Sequence, residues 1–373
     1  MPVIINGTDG VTFNDSSLQG AAASPFGLKN RIINGDMRID QRNAGASVTP
    51  TATTYTLDRW SLEISDASKL SVQQNAGAVT PPVGFTNYLG VTTVSAFSIV
   101  AASQFQLRQF IEGFNIADLG WGTANAKTVT LSFWVRSSLT GTFGGAFRNE
   151  GNNRSYPFSY TISAANTWEQ KSITVAGDTT GTWLTNNDRG ITVLFGLGVG
   201  SDKSGTAGAW AASNLTSVTG AVSVVGTGSA TFYITGVQLE RNTTATPFEW
   251  IPYSTELALC QRYFEVLGGR NIYEPVGIGF IFSSTTGVAD YFFKQTMRTP
   301  PSLTVPTAGN WAILNSAGSG IGLTSLVIND SGNQVTVNGV CLRFQVPSGL
   351  TAGNATSFEA ININARMSFS AEL

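Results

Sequence analysis

The sequence predicts an all-β chain: a jelly-roll-type two-sheet sandwich, a short connecting helix and a second, smaller β domain. Three observations carry that prediction. Residues 128–136 and 191–199 alternate strictly between apolar and other side chains, the period-2 signature of half-buried strands. Such segments recur along the chain, separated by turn-forming residues, and Gly alone accounts for 41 of the 373 positions. Charged residues make up 12%, about half of the ~25% typical of soluble chains, while 42% are hydrophobic. That balance suits many short strands around apolar cores and argues against disorder.

Residues 1–29 read as a leader. Ile4 and Ile5 on one side, and Val11 and Phe13 on the other, flank an Asn-Gly-Thr-Asp-Gly turn, so a small hairpin is expected. An isolated hairpin is barely stable in water. Those four apolar residues are therefore candidates for attachment, to the same segment in sister chains or to a socket on another protein.

Residues 30–253 read as the sandwich. Val129, Leu131, Phe133 and Val135 share one strand face, with Trp134 and Arg136 on the other. Residues 143–148 and 167–175 are further strands. In residues 231–240 the apolar parity switches after Ile234, which predicts a bulge at Gly236. The aromatic run 247–253, bracketed by Pro247 and Pro252, reads as a strap across the domain's base. Residues 254–262 can form a short helix capped by Ser254 or Thr255.

Residues 263–373 read as the smaller β domain. Segments 278–282 and 288–295 predict one hairpin, and 326–328 with 334–337 another. Val340, Leu342, Phe344 and Val346 share a face. Ile361, Ile363, Ala365, Met367 and Phe369 alternate down a final strand. No internal repeat supports a propeller or a long β-helix.

Much chemistry is excluded or unsupported. The net charge of −2, with no basic run, leaves no footprint for nucleic acid. No apolar run reaches the ~18 residues of a membrane span. The first residues lack a secretory pattern, so assembly in a cytoplasm is expected. Histidine is absent, which removes histidine-based triads, metal sites and pH switches. Cys260 and Cys341 read as free thiols. Glycine triplets at 196–200 and 318–322 open no helix and read as bulges and turns. No catalytic residue, cofactor or metal is assigned. A glycosidase needs only two carboxylates, and none of the 23 acidic residues forms a distinctive pair in sequence.

Aromatics remain for recognition. A flat indole can stack on a sugar ring while amides and hydroxyls nearby read its hydroxyl groups. Trp121, Trp210 and Trp311 lie in turn-rich stretches and are expected to be loop-borne and exposed, which makes them the glycan-binding candidates.

Several segments resemble tail-fibre and virion-appendage proteins of tailed bacteriophages. They are residues 30–43 (NRIINGDMRIDQRN), 57–60 (LDRW), 107–109 with 111–113, 129–136, 233–240, 247–264 and 297–301 (MRTPP). The leader is similar to the start of many such proteins, and residues 107–240 resemble jelly-roll carbohydrate-binding modules. The resemblance implies a homotrimeric virion component that docks on tail or baseplate proteins through residues 1–29. Its distal domains would meet a glycan or other receptor on the host envelope, by binding without catalysis. A purely structural fibre, collar or baseplate part is the alternative, and a glycan-degrading tailspike a lesser one. The matching segments read as determinants of fold and assembly. Arg38, Asp40 and Arg42 are expected to alternate on a strand face, positioned for pairing across chains.

Overall fold

The computed structural model of the chain describes residues 4–6, 10–12, 18–19, 29–269, 271–315, 317–329 and 334–373, the first three stretches as backbone only. Strands β1 (Ile4–Asn6), β2 (Gly10–Thr12) and β3 (Leu18–Gln19) form a three-stranded antiparallel sheet. Ile4 stands opposite Thr12 and Ile5 opposite Val11, so the expected hairpin forms. Phe13 lies outside the described residues.

The sandwich uses strands β4 (Thr54–Leu57), β5 (Trp60–Ile64), β6 (Leu70–Gln74), β7 (Leu89–Thr93), β8 (Gln104–Glu112), β9 (Val129–Ser137), β10 (Gly141–Arg148), β11 (Ser155–Ile162), β12 (Glu169–Val175), β13 (Arg189–Val199), β14 (Ser204–Gly205), β15 (Ser217–Val218) and β16 (Thr231–Glu240). One antiparallel sheet has six strands in the order β11-β10-β13-β8-β5-β4. The other has five, in the order β12-β9-β16-β7-β6. Most neighbours in space are distant in sequence, such as β13 beside β8 and β16 beside β9 and β7, which is how a jelly roll is wound. Alternation fills the space between the sheets: Leu107, Phe195 and Leu62 from one meet Leu131, Phe133 and Ile234 from the other, all fully buried. β16 is bulged between Thr235 and Gln238, and Gly236 sits at φ +60. A Cβ there would stand 2.6 Å from the Phe85 ring, so both conformation and space require glycine.

Helix α1 (Tyr253–Gln261) follows, one residue earlier than expected. Neither Ser254 nor Thr255 caps it. The cap position is Pro252, whose carbonyl accepts from the N–H groups of Thr255 and Glu256, leaving Ser254 inside the first turn.

The smaller domain contains β17 (Phe264–Gly268), β18 (Glu274–Ile281), β19 (Thr286–Phe292), β20 (Ser302–Thr304), β21 (Trp311–Leu314), β22 (Gly320–Gly322), β23 (Ser325–Ile328), β24 (Gly339–Gln345), β25 (Ala355–Ala360) and β26 (Arg366–Ser370). A three-stranded sheet, β17-β26-β20, faces a seven-stranded one, β22-β21-β25-β18-β19-β24-β23, around a second core that includes Trp311, Leu342, Phe358 and Phe369. Two expectations are corrected. β23 pairs with β24, Ile328 opposite Leu342, and not with residues 334–337. The final alternation is broken: residues 361–365 turn between β25 and β26, so Ile363 is exposed while Ala365, Met367 and Phe369 are buried.

The resembling segments meet where the sandwich joins the smaller domain. Glu112, at the end of β8, accepts from Arg262 Nε at 2.9 Å and also from Arg262 Nη2 and the Tyr263 hydroxyl. Arg59 and Arg42 both pair with Glu372, the latter at 2.7 Å. The Arg59 guanidinium lies 3.5 Å from the Tyr263 ring centre, and that of Arg42 3.7 Å from Phe264. Arg298 donates to the carbonyls of Ala371, Glu372 and Asn187. Ile33, Ile39, Cys260 and Tyr263 form a small core of their own here, with Leu373 against it. Burial pushes the Asp58 carboxyl up to about 7, against the Arg42 charge, and the Glu256 carboxyl up to about 6.

Residues 30–43 form turns and no strand, because their backbone groups are taken by side chains. Asn34 Oδ1 accepts from Ile39 N at 2.9 Å, and Asp40 accepts from Asn43 N and Gly45 N. Arg38, Asp40 and Arg42 therefore share no strand face. Arg38 pairs with Asp36 at 2.9 Å and Arg42 with Glu372, both within the chain.

Candidate functional site

Burial separates the eight tryptophans, all of which lie in described residues. Trp60, Trp121, Trp183 and Trp311 are buried. Trp134, Trp168 and Trp210 are half-buried. Trp250 alone is exposed, at 53%.

The expectation of exposure fails for two of the three candidates. Trp311 opens strand β21 and points into the second core, fully buried against Phe358 at 5.3 Å. Trp121 is buried in an edge-to-face triangle with Trp183 at 4.8 Å and Trp210 at 5.3 Å, while Trp183 and Trp210 are 5.4 Å apart. Trp210 is half-buried and also meets Tyr156 at 5.2 Å. All three indole N–H groups are used within the chain: Trp121 donates to Lys127 O, Trp210 to Ala176 O, and Trp183 to Asp178 and Thr180 O. The structure thus brings Trp121 and Trp210 together, as a clasp.

The clasp pins residues 199–222 over the outer face of the six-stranded sheet. Glycines make room for that crossing: a Cβ on Gly144 would stand 2.3 Å from Ser217 Oγ, and one on Gly196 2.9 Å from it. Arg148 Nη1 donates to Asn214 Oδ1 at 2.8 Å. Desolvation in this covered place pushes the Arg148 guanidinium down to about 10. Farther along the same face, Glu63 accepts from Gln106 Nε2 at 2.6 Å and pairs with Arg108. The Phe110 ring lies between the guanidiniums of Arg108 and Arg189, at 4.7 and 4.8 Å. This face is closed by its own loop and its own charges.

The outer face of the five-stranded sheet is different. Register places Gln170, Trp134 and Thr235 in one row across β12, β9 and β16, and Ser172, Ser132 and Gln238 in the next. Residues 242–250 run extended over β16. Gln238 holds them: its Nε2 donates to the carbonyls of Thr246 and Pro247, and its Oε1 accepts from Glu249 N at 2.8 Å. Lys29 Nζ reaches Thr246 Oγ1 at 2.6 Å and Pro247 O at 2.7 Å.

Two prolines keep this segment out of any strand and turn Trp250 outward. Its ring packs at 4.8 Å on Phe85 and 5.0 Å on Phe248, which are themselves 5.2 Å apart. Phe85 and Trp134 both lie against Gly236, so the aromatic ridge continues down to the sheet. Beyond the strap a groove of about 520 Å³ is lined by Gln170, Lys171, Ser172 and residues 245–247. Lys171 is tied to Glu169 at 2.6 Å, and hydrogen bonding from Lys171 and from Ala164 N holds the Glu169 carboxyl below its usual range. The strap thus carries an exposed indole at one end, and at the other borders a groove with an amide, a hydroxyl and a neutralised cation. Such a surface can stack on a sugar ring and read its hydroxyl groups.

Sequence reasoning passed over Trp250, taking its segment as a strap only. The available signal was the pair of prolines: an aromatic held in an extended, unpaired stretch has no second layer to cover it.

No family model matches the chain, and no curated protein matches it in sequence. Among solved structures it is similar to the enzymatically active domain of tailspike protein 4 of bacteriophage CBA120, at 11% identity over 57% of this chain, with a TM-score of 0.29. The chain spans 21% of the length of that protein. It is also similar to a CBM4 module (15% identity, 56% of this chain, 98% of the module, TM-score 0.28). A third likeness is to TmCBM61 in complex with β-1,4-galactotriose (11% identity, 58% of this chain, 100% of the module, TM-score 0.29). The sandwich itself is established by its own sheets and core.

Proposed function

We propose that this chain is a tail-fibre-type virion component that binds a glycan on the host surface without cleaving it. Trp250 carries the reading: it is the one exposed tryptophan, packed on Phe85 and Phe248 at the end of a strap whose other end lines a polar groove. The resemblance of residues 30–43, 57–60 and 247–264 to phage appendage proteins supports the setting. In that setting the leader docks on tail or baseplate proteins, and assembly takes place in the host cytoplasm. Copies assemble as a homotrimer. Each site is shallow and weak, and simultaneous engagement of three would raise avidity by ~10²–10⁴.

The test is binding of the labelled, full chain to susceptible and resistant host cells, with competition against infection. Selective binding that blocks infection, and that weakens about tenfold in Trp250→Ala, is the expected result. Binding of undiminished strength in Trp250→Ala would move the site elsewhere. No binding by folded protein would leave a purely structural role, to be located by labelling the particle. Release of sugars from host polysaccharide would replace binding with cleavage.

A further inference from the structure

Beneath the strap a hydroxyl, a carboxylate, an ammonium and a carboxamide converge on one point. Thr246 Oγ1 donates to Glu240 Oε2 at 2.7 Å and accepts from Lys29 Nζ at 2.6 Å. A hydroxyl has one proton and two lone pairs, so a single lone pair is left. It faces the Gln238 side chain, whose Nε2 lies 3.5 Å away. The carbonyl carbon is one bond of ~1.3 Å farther, which puts it within ~4.8 Å of Oγ1 at most. Gln238 is gripped at both ends of its amide: Nε2 donates to Glu240 Oε1 at 2.9 Å, and Oε1 accepts from Glu249 N at 2.8 Å. Gln238 is fully buried and Glu240 nearly so. Holding a strap by its backbone needs only the amide. A hydroxyl paired with a carboxylate, beside a carbonyl polarised by an N–H, is the equipment of acyl transfer.

We propose that Thr246 and Gln238 join in an ester bond, formed by the chain itself with release of ammonia. Glu240 Oε2 takes the hydroxyl proton as the Thr246 Oγ1 lone pair forms a bond to Gln238 Cδ. The carbonyl electron pair moves onto Oε1, where the Glu249 N–H holds the developing charge. The pair then returns, the Cδ–Nε2 bond breaks, and the nitrogen leaves as ammonia with the proton that Glu240 carried. One hydroxyl and one carboxamide give one ester and one ammonia, so no oxidant, reductant or water is consumed. Folding supplies the proximity that a hydroxyl needs to attack an amide. Burial keeps water from reversing the product. The result is a covalent tie between residues 242–250 and β16, and it stands whether or not Trp250 binds sugar.

The experiment is trypsin digestion of the full chain followed by mass spectrometry. Trypsin cuts after Arg241, between the two partners, and yields peptides 204–241 and 242–262. The expected result is that the two peptides stay joined, one ammonia lighter than their sum, and that hydroxylamine separates them. Thr246→Val should give two free peptides. Glu240→Ala, with the circular dichroism of wild type, should lower the joined fraction at least ~tenfold, the least that a general base contributes. Free peptides of full mass from the wild type overturn the proposal. So do joined peptides in Thr246→Val, and so does a link that resists hydroxylamine, which would be an amide.

Discussion

The joint between the two β domains and the ridge around Trp250 use opposite chemistry in opposite settings. In a chain with only 12% charged residues, the joint places Arg59, Glu112 and Glu372 where water scarcely reaches. The ridge places Trp250 at the surface on half-buried Phe85 and Phe248, where the indole gains little from the fold. Buried ions are stable only as complete sets, because removing one member strands the others. Exposed rings can be removed almost without structural consequence. The joint is thus sensitive to small changes and holds two bodies in one geometry. The ridge is tolerant, and what it contributes must be sought in a ligand.

The sharpest way to break the comparison is Glu372→Ala. It leaves the fully buried Arg59 guanidinium without its anion and should cost about 3–5 kcal/mol in urea denaturation. The next effect is one of pH. Asp58 has a folded value raised to about 7, above its unfolded value near 4, so the folded state holds the extra proton. Stability from this group is therefore full below pH ~4 and lost as pH rises through 7. Raising pH from 5 to 8 should lower stability by about 2–3 kcal/mol, and Asp58→Asn should flatten that dependence in the same denaturation series. Trp210→Ala removes one side of the indole clasp and should cost about 2 kcal/mol, with cell or glycan binding unchanged. Trp250→Ala should do the reverse: stability within about 0.5 kcal/mol of wild type, and binding weakened about tenfold, or ~1.4 kcal/mol, by direct titration. A Trp250 variant that loses stability instead would make the ridge one more piece of core.

Legibility in the sequence followed the same divide. The β class and the principal strands were readable because alternation is a local property, as in β9, where Val129, Leu131, Phe133 and Val135 all reach the core. The bulge at Gly236 was readable because parity switches there. Residues 38–42 were misread as a strand because side chains such as Asn34 and Asp40 outcompete ladder hydrogen bonds, a local effect that a period-2 pattern of charges hides. Exposure of Trp121 and Trp311 was misjudged because turn-rich surroundings say nothing of what folds over them. Trp121 is covered by residues 89 positions away in the case of Trp210, and no spacing rule reports that contact. Trp250 was missed for the converse reason: its neighbours look like core, and only the absence of a covering layer leaves it bare.

Lys29 grips the carbonyl of Pro247, and Asn30 N bonds Glu249 Oε2 at 2.8 Å, one residue from Trp250. This has a mechanical meaning. A pull applied at the ridge and resisted at residue 29 loads these bonds side by side, together with those that tie Asn30, Arg31 and Glu249 to Val237, Gln238 and Leu239 of β16. The charged joint and the smaller domain lie off that path. Were the chain to hold a particle to a cell as proposed, the strain would fall on this clamp and on β16, and the smaller β domain would ride unloaded beside them.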